Sequence, residues 1–243
     1  MIIGSAFWRL LNYGPRAMVK HVYFSLKEIR TKTPLPLNVL RDLEEKLEIQ
    51  NLWMTNDEEN FNKYFQELHR NLMQVRVKDV FSAPTFTRVI VLATLLKSRK
   101  FDSVLETGTQ NGISISLLNQ FITMNNLNSI SLFTFDVCEM PKKIESNTNY
   151  INLRWPARIN FKRLTAAGVW NNSIFFHDSD HSEENMTFEF NYAWEKLKVK
   201  AIVSDDVENN DAFSKFCKRV NLRPYYFKFD KGPVVGVVLR NSP

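Results

Sequence analysis

The stretch Phe101-Asp102-Ser103-Val104-Leu105-Glu106-Thr107-Gly108-Thr109-Gln110-Asn111-Gly112-Ile113-Ser114 decides the fold. Val104 and Leu105 read as the end of a buried strand, and Glu106 to Gly112 as a tight turn. Ile113, Ser114, Leu117 and Leu118 begin an apolar helical stripe. A strand, a turn and a helix in that order aim the free N–H groups of the helix start into the crevice above the strand. Glycine is scarce, 7 of 243 residues against a usual share of about 7%, yet two glycines stand four apart in this turn. The turn is the first candidate for a ligand site.

A dinucleotide turn needs G-x-G-x-x-G so that the backbone can approach a pyrophosphate. Gln110 occupies the middle position here and would meet the phosphate with a side chain. The pattern Glu106-x-Gly108-x-x-x-Gly112 resembles instead the first motif of class I S-adenosylmethionine-dependent methyltransferases. That resemblance implies a cofactor with an amino acid and an adenosine but no phosphate. It implies Glu106, Gly108, Thr109, Gly112 and Ser114 as cofactor-binding residues.

Downstream, Ser131 to Asp136 reads as a second strand ending in an acid 24 residues past Gly112. An acid at that point can accept both ribose hydroxyls, which adds Asp136 to the cofactor set; the plainer reading is a turn aspartate. Cys138 reads as a small buried hydrophobe. Asn160 to Thr165 reads as a third strand, with 166–170 a shortened connection to the next strand.

Ser173-Ile174-Phe175-Phe176-His177-Asp178-Ser179-Asp180-His181-Ser182-Glu183 is the second informative stretch. Ile174 to Phe176 predict a short buried strand whose polar continuation lies at its carboxyl end, where open α/β sheets bind ligands. A helix follows with Phe190, Ala193, Trp194 and Leu197 inward. Ala201 to Asp206 then gives another strand ending in acids. Asp178-Ser179-Asp180-His181-Ser182 is similar to the D-G-D-H-S run of the catechol-type and antibiotic-sugar O-methyltransferases, and Asp205-Asp206, 27 residues on from Asp178, to their terminal acids. The resemblance implies Asp178, Asp205 and Asp206 as ligands of a Mg²⁺ that holds an acceptor hydroxyl. A hard cation with oxygen ligands suits that task, because it lowers the pKa of a bound hydroxyl. His181 is the alternative or additional group, a neutral imidazole able to remove the hydroxyl proton. In the plain reading, Asp180 and Glu183 are a capping box with His181 exposed beside them. His177 falls off the motif and receives no role.

The chain's last part predicts a helix at 211–220, a strand at 224–229, a turn at 230–232 and a final strand at 234–239. Strands joined by about three residues form an antiparallel hairpin, as the methyltransferase sheet does at its end. The expected fold is thus α/β: a Rossmann-like, mostly parallel sheet with a C-terminal antiparallel hairpin over 81–243, and an N-terminal helical extension over 1–80.

Within that extension, residues 1–31 read as two helical pieces broken near Gly14-Pro15, 33–37 as an extended linker, and 37–49 and 55–75 as helices. Ala83-Pro84-Thr85 opens a further helix to about Lys97 that feeds the first strand. The chain's net charge of +6 is carried by residues 1–100, whereas 101–243 has 16 basic and 16 acidic residues. Residues 1–32 admit two readings: a helix pair packed on the main domain with a solvated basic face, or a peripheral arm for a membrane surface or another protein; a homo-oligomer is a separate expectation, not tied to this segment. A neutral catalytic part without an aromatic-basic groove speaks against nucleic acid as the partner and for a small-molecule acceptor. Two cysteines suit a reducing, cytoplasmic setting, and no stretch approaches the ~18 apolar residues of a spanning helix. The reading is an S-adenosylmethionine-dependent O-methyltransferase, with a non-catalytic nucleotide-binding or scaffold protein and a nucleic-acid methyltransferase using the basic N-terminal segment as the competing readings.

Overall fold

The computed structural model describes Glu45, Leu47 and residues 85–98, 100–110, 112–137, 148–152, 161–166, 168–228 and 233–240. The helices and linker read before residue 76, Cys138 and the 230–232 turn lie outside the described residues, Glu45 and Leu47 excepted.

Helix α1 (Thr85–Lys97) is followed by β1 (Ser103–Thr107), α2 (Ile113–Met124), β2 (Ser131–Asp136) and β3 (Thr148–Asn152). Then come α3 (Lys162–Ala166), β4 (Ser173–His177), α4 (Glu183–Tyr192) with a π-helical extension Ala193–Leu197, and β5 (Ala201–Ser204). Helix α5 (Ala212–Arg219), β6 (Tyr225–Phe227) and β7 (Val235–Leu239) complete the chain. The strands form one sheet in the order β3-β2-β1-β4-β5-β7-β6. All neighbours are parallel except the pairs that β7 makes with β5 and β6, so the C-terminal hairpin expected from the sequence is present. No helix among the described residues is long and apolar enough to cross a membrane.

The sheet is covered on both faces, which is why its central strands are apolar without interruption. Val104, Ile174, Phe176, Val203 and Val237 face α1 and α2, and Leu47 joins that cluster. Leu105, Phe175, Ile202 and Val238 face α3, α4 and α5 with Phe190, Trp194 and Phe213. β1 and β4 are buried at every residue.

One element departs from expectation. Residues 162–166 form α3, not a strand, because Phe161 and Leu164 are buried three apart while Lys162, Arg163 and Thr165 are exposed, a helical spacing. The third strand is Thr148-Asn149-Tyr150-Ile151-Asn152, paired with β2 at the sheet edge. A polar edge strand carries no apolar run for a sequence reading to find. The connection at 168–172 packs where β4 begins: Trp170 Nε1 donates to the Leu164 carbonyl at 2.7 Å, and its ring meets Phe133 edge-on at 4.9 Å.

From β1 the chain proceeds to β2 and β3 on one side and returns to β4 on the other. The crevice of such a sheet opens at this reversal, above the carboxyl ends of β1 and β4. Glu106, Asp136, Asp178 and Asp205 all belong to that edge.

Candidate active site

The glycine turn is clamped between its neighbouring strands. Gly108 N–H donates to the Phe135 carbonyl at 2.9 Å, and Asp178 N–H donates to the Thr107 carbonyl at 2.9 Å. Gly108 has φ +92°, and a Cβ there would lie 2.1 Å from the Asp178 carbonyl oxygen, so both conformation and space demand glycine. Gly112, at φ 69°, is the left-handed residue from which α2 starts. Gln110 also has positive φ, 43°, and its N–H donates to Asp136 Oδ2 at 2.8 Å. Asp136 thus fastens the turn in this structure.

Beneath the turn runs a buried polar relay. Thr134 Oγ1 donates to Glu106 Oε2 at 2.7 Å and receives the Thr109 hydroxyl at 2.6 Å. Thr109 therefore points its side chain into the sheet, and any contact it makes in the crevice is through its backbone. Glu106 is 1% exposed. Burial raises its pKa to about 7, although the Thr134 hydrogen bond and the Arg88 charge both oppose the shift. Ser114 is buried in the first turn of α2.

Across the crevice, β4 and β5 deliver Asp178, Asp205 and Asp206. Arg88 of α1 reaches between the first two: its Nη1 donates to Asp178 Oδ1 at 2.7 Å and to Asp205 Oδ2. Burial pushes both carboxyls upward, Asp205 to about 6 and Asp178 well above the usual range, with Arg88 the main opposing influence. Burial also works against the Arg88 charge, yet Asp205 and Asp178 outweigh it and hold the guanidinium protonated.

His181 lies on the same edge. Its Nε2 is 3.9 Å from Asp206 Oδ2, and Asn210 Nδ2 donates to its carbonyl at 2.8 Å. Burial lowers its pKa to about 4 despite Asp206, so the ring is neutral at neutral pH. The helix cap beside it is Ser182, whose Oγ accepts from Asn185 N–H at 3.3 Å, and the Asp180 carboxylate accepts from Ser182 N–H at 3.0 Å. The N-cap is thus Ser182, two residues later than the Asp180 of the plain reading's Asp180–Glu183 box; exposed Glu183 pairs with Lys215 instead.

A fourth acid supports these groups from below. Glu189 on α4 accepts from Thr107 Oγ1 at 2.7 Å, Ser179 Oγ at 2.9 Å and Asn185 Nδ2 at 3.3 Å, and pairs with His177 Nδ1 at 2.7 Å. Burial alone would raise its pKa; His177 and these hydrogen bonds hold it below the usual carboxylate range. It ties the end of β1, the end of β4 and the start of α4 into one unit.

Known proteins are similar only at a distance. No protein-family model matches the sequence, and no curated protein matches it. Among solved structures, a protein from Staphylococcus aureus assigned as a caffeoyl-CoA O-methyltransferase is 12% identical with a TM-score of 0.48, covering 92% of this chain and 100% of its own. An S-adenosylhomocysteine-bound methyltransferase from Podospora anserina is 11% identical with a TM-score of 0.44, over 87% of this chain and 99% of its own. CmcI with magnesium and S-adenosylmethionine is 14% identical with a TM-score of 0.42; the match takes 56% of this chain and spans 65% of CmcI.

The structure brings Glu106, Gly108, Gly112, Asp136, Asp178, Asp205, Asp206 and His181 to one sheet edge. It differs over the expected Mg²⁺ ligands. Among the described residues no group of three His, Cys, Asp or Glu side chains is arranged to hold a metal ion. A guanidinium occupies the position between Asp178 and Asp205, and the cation set does not fit there.

Sequence reading missed Arg88, His177 and Glu189. Two signals were available. Arg88 is the one charge before Lys97 in an otherwise uncharged helix, Thr85–Lys97, and Glu189 falls on the buried Met186, Phe190, Ala193 stripe. An open hollow of about 680 Å³ beside α5, lined by Lys215, Cys217, Lys218 and Arg223, holds none of these groups.

Proposed function

We propose that this chain is an S-adenosylmethionine-dependent methyltransferase acting on the hydroxyl of a small acceptor, such as a sugar or a catechol-like compound. The observation that carries the reading is the acidic crevice at the reversal point of the sheet, built on a glycine turn with no room for a side chain at Gly108. Asp178 and Asp205 pair with the buried Arg88, the charges of Glu106 and Asp206 also act on it, and Asp136 lies on the same sheet edge. Such an excess of carboxylate suits a cofactor bearing an ammonium and a sulfonium, and it repels phosphate.

The cofactor's amino-acid end would lie over Gly108 and Glu106, and its ribose hydroxyls against Asp136 with the turn moving off that carboxylate. The sulfonium is already a good leaving group, so the chain's contribution is alignment and proton removal. When bound, S-adenosylmethionine would supply the methyl group, the C–S electron pair leaving with sulfur as S-adenosylhomocysteine, and the crevice residues would hold the acceptor hydroxyl beside it. The hydroxyl proton goes to His181 Nε2, which is neutral and has no hydrogen-bond partner among the described residues. Asp206, 3.9 Å away, stabilises the imidazolium as it forms.

The test is release of S-adenosylhomocysteine from methyl-labelled S-adenosylmethionine across a panel of sugars and catechols. Product formation with one class and its loss in His181→Asn supports the reading. Turnover with none, by protein that binds the cofactor, removes the acceptor assignment.

A further inference from the structure

We propose that Arg88 holds the place of a divalent cation in this crevice, so that the acceptor side works without a metal. The proposal deepens the function above, because it concerns the acceptor half of the same site, but the occupancy of that place by Arg88 stands apart from cofactor binding.

One guanidinium nitrogen hydrogen-bonds to Asp178 at 2.7 Å and to Asp205, so one lone pair of each carboxylate points at a fixed positive charge. A Mg²⁺ would need oxygen ligands at about 2.0–2.1 Å in near-octahedral array. It would compete with Arg88 for the same two oxygens while repelling it. The third expected ligand, Asp206, has its carboxylate 3.9 Å from His181 Nε2.

Unsatisfied buried atoms supply the second observation. Arg88 Nε, Asp205 Oδ1 and His181 Nε2 are buried without hydrogen-bond partners among the described residues. Buried polar atoms are nearly always paired, so three in one cluster point to a ligand that pairs them. The set comprises a donor on Arg88, an acceptor on Asp205 and a proton acceptor on His181. A neutral hydroxyl can satisfy these roles by accepting from Arg88 and donating to a carboxylate or imidazole. The chemistry a cation would supply, a positive charge beside the acceptor oxygen, comes here from a residue of the chain, and vicinal hydroxyls for chelation are not required.

The experiment is Mn²⁺ binding to the full chain, read by loss of the free-ion electron paramagnetic resonance signal at equimolar, micromolar protein and metal. Wild-type protein is expected to leave the signal unchanged. Arg88→Ala, checked for fold by circular dichroism, opens the space between two carboxylates and is expected to remove at least half of it; Arg88→Lys is expected to behave as wild type. Depletion by the wild-type chain overturns the proposal, as does a folded Arg88→Ala that gains no Mn²⁺. The wild-type result decides by itself if the alanine variant does not fold. Calorimetric titration of wild type with S-adenosylhomocysteine separates the two readings: a chain that binds neither ligand keeps this proposal and loses the methyltransferase assignment.

Discussion

At the residue scale the site is governed by burial acting on charge. Glu106 shows it most simply. Its folded-state pKa, about 7, lies above the ordinary carboxylate value, so the folded state favours the protonated form. The stability tied to that proton is fully present below about pH 4.5 and is lost as pH rises to about 7. Glu106→Gln is therefore expected to flatten that part of the stability profile, measured by urea unfolding at pH 4.5, 6 and 7.5. An unchanged slope would mean that Glu106 ionises freely in the folded chain. His181 makes a kinetic prediction. Once an acceptor is known, His181→Asn is expected to lower methyl transfer by ~10²-fold or more while S-adenosylhomocysteine affinity changes little, because the proposed role sets the ring against the acceptor and not the cofactor. A parallel loss of both would mark it as structural.

At the scale of elements, the joints matter more than the helices. Glu189 binds three segments together through His177, Thr107, Ser179 and Asn185. Removing it leaves buried His177 and two hydroxyls without their acceptor. Glu189→Ala is expected to destabilise by about 3–5 kcal/mol. Glu183→Ala on the same helix, which breaks only the exposed pair with Lys215, is expected to cost within ~1 kcal/mol. Equal midpoints in denaturant would contradict the contrast. The glycine turn yields the companion prediction: Gly108→Ala combines a left-handed backbone with a Cβ 2.1 Å from the Asp178 carbonyl oxygen and is expected to cost about 2–4 kcal/mol, read as a lowered melting temperature.

Elements also show what could be read beforehand. β2 was legible over its whole length because Leu132, Phe133 and Phe135 make an apolar run that ends in an acid at Asp136. The strands Ser103–Thr107, Ser173–His177 and Ala201–Ser204 were legible as short apolar runs stopped by polar ones, but their ends were not: the pattern stops the first at Leu105 and the second at Phe176, and carries the third on to Asp206. β3 was illegible because Thr148, Asn149 and Asn152 give an edge strand no apolar signature. Arg88 escaped for the opposite reason: a buried cation takes its meaning from Asp178 and Asp205, 90 and 117 residues away. Local pattern identified the acids, and only the assembled sheet could supply their partner.

For the whole molecule, the positive charge and the chemistry are segregated. The basic excess belongs to residues 1–100, and 101–243 is neutral overall while its crevice is acidic. Arg88 is the exception that crosses over, placed from α1 against the ends of β4 and β5. The sheet order sets the rest, since it alone brings Glu106, Asp136, Asp178 and Asp205 to one edge. The central claim is that this edge binds S-adenosylmethionine. Calorimetric titration of the full chain with S-adenosylhomocysteine tests it most directly. Saturable one-site binding is expected, with Kd about 1–100 μM, weakened at least tenfold by Asp136→Ala. Absence of binding to wild-type protein shown to be folded would contradict it and leave the sheet as a scaffold.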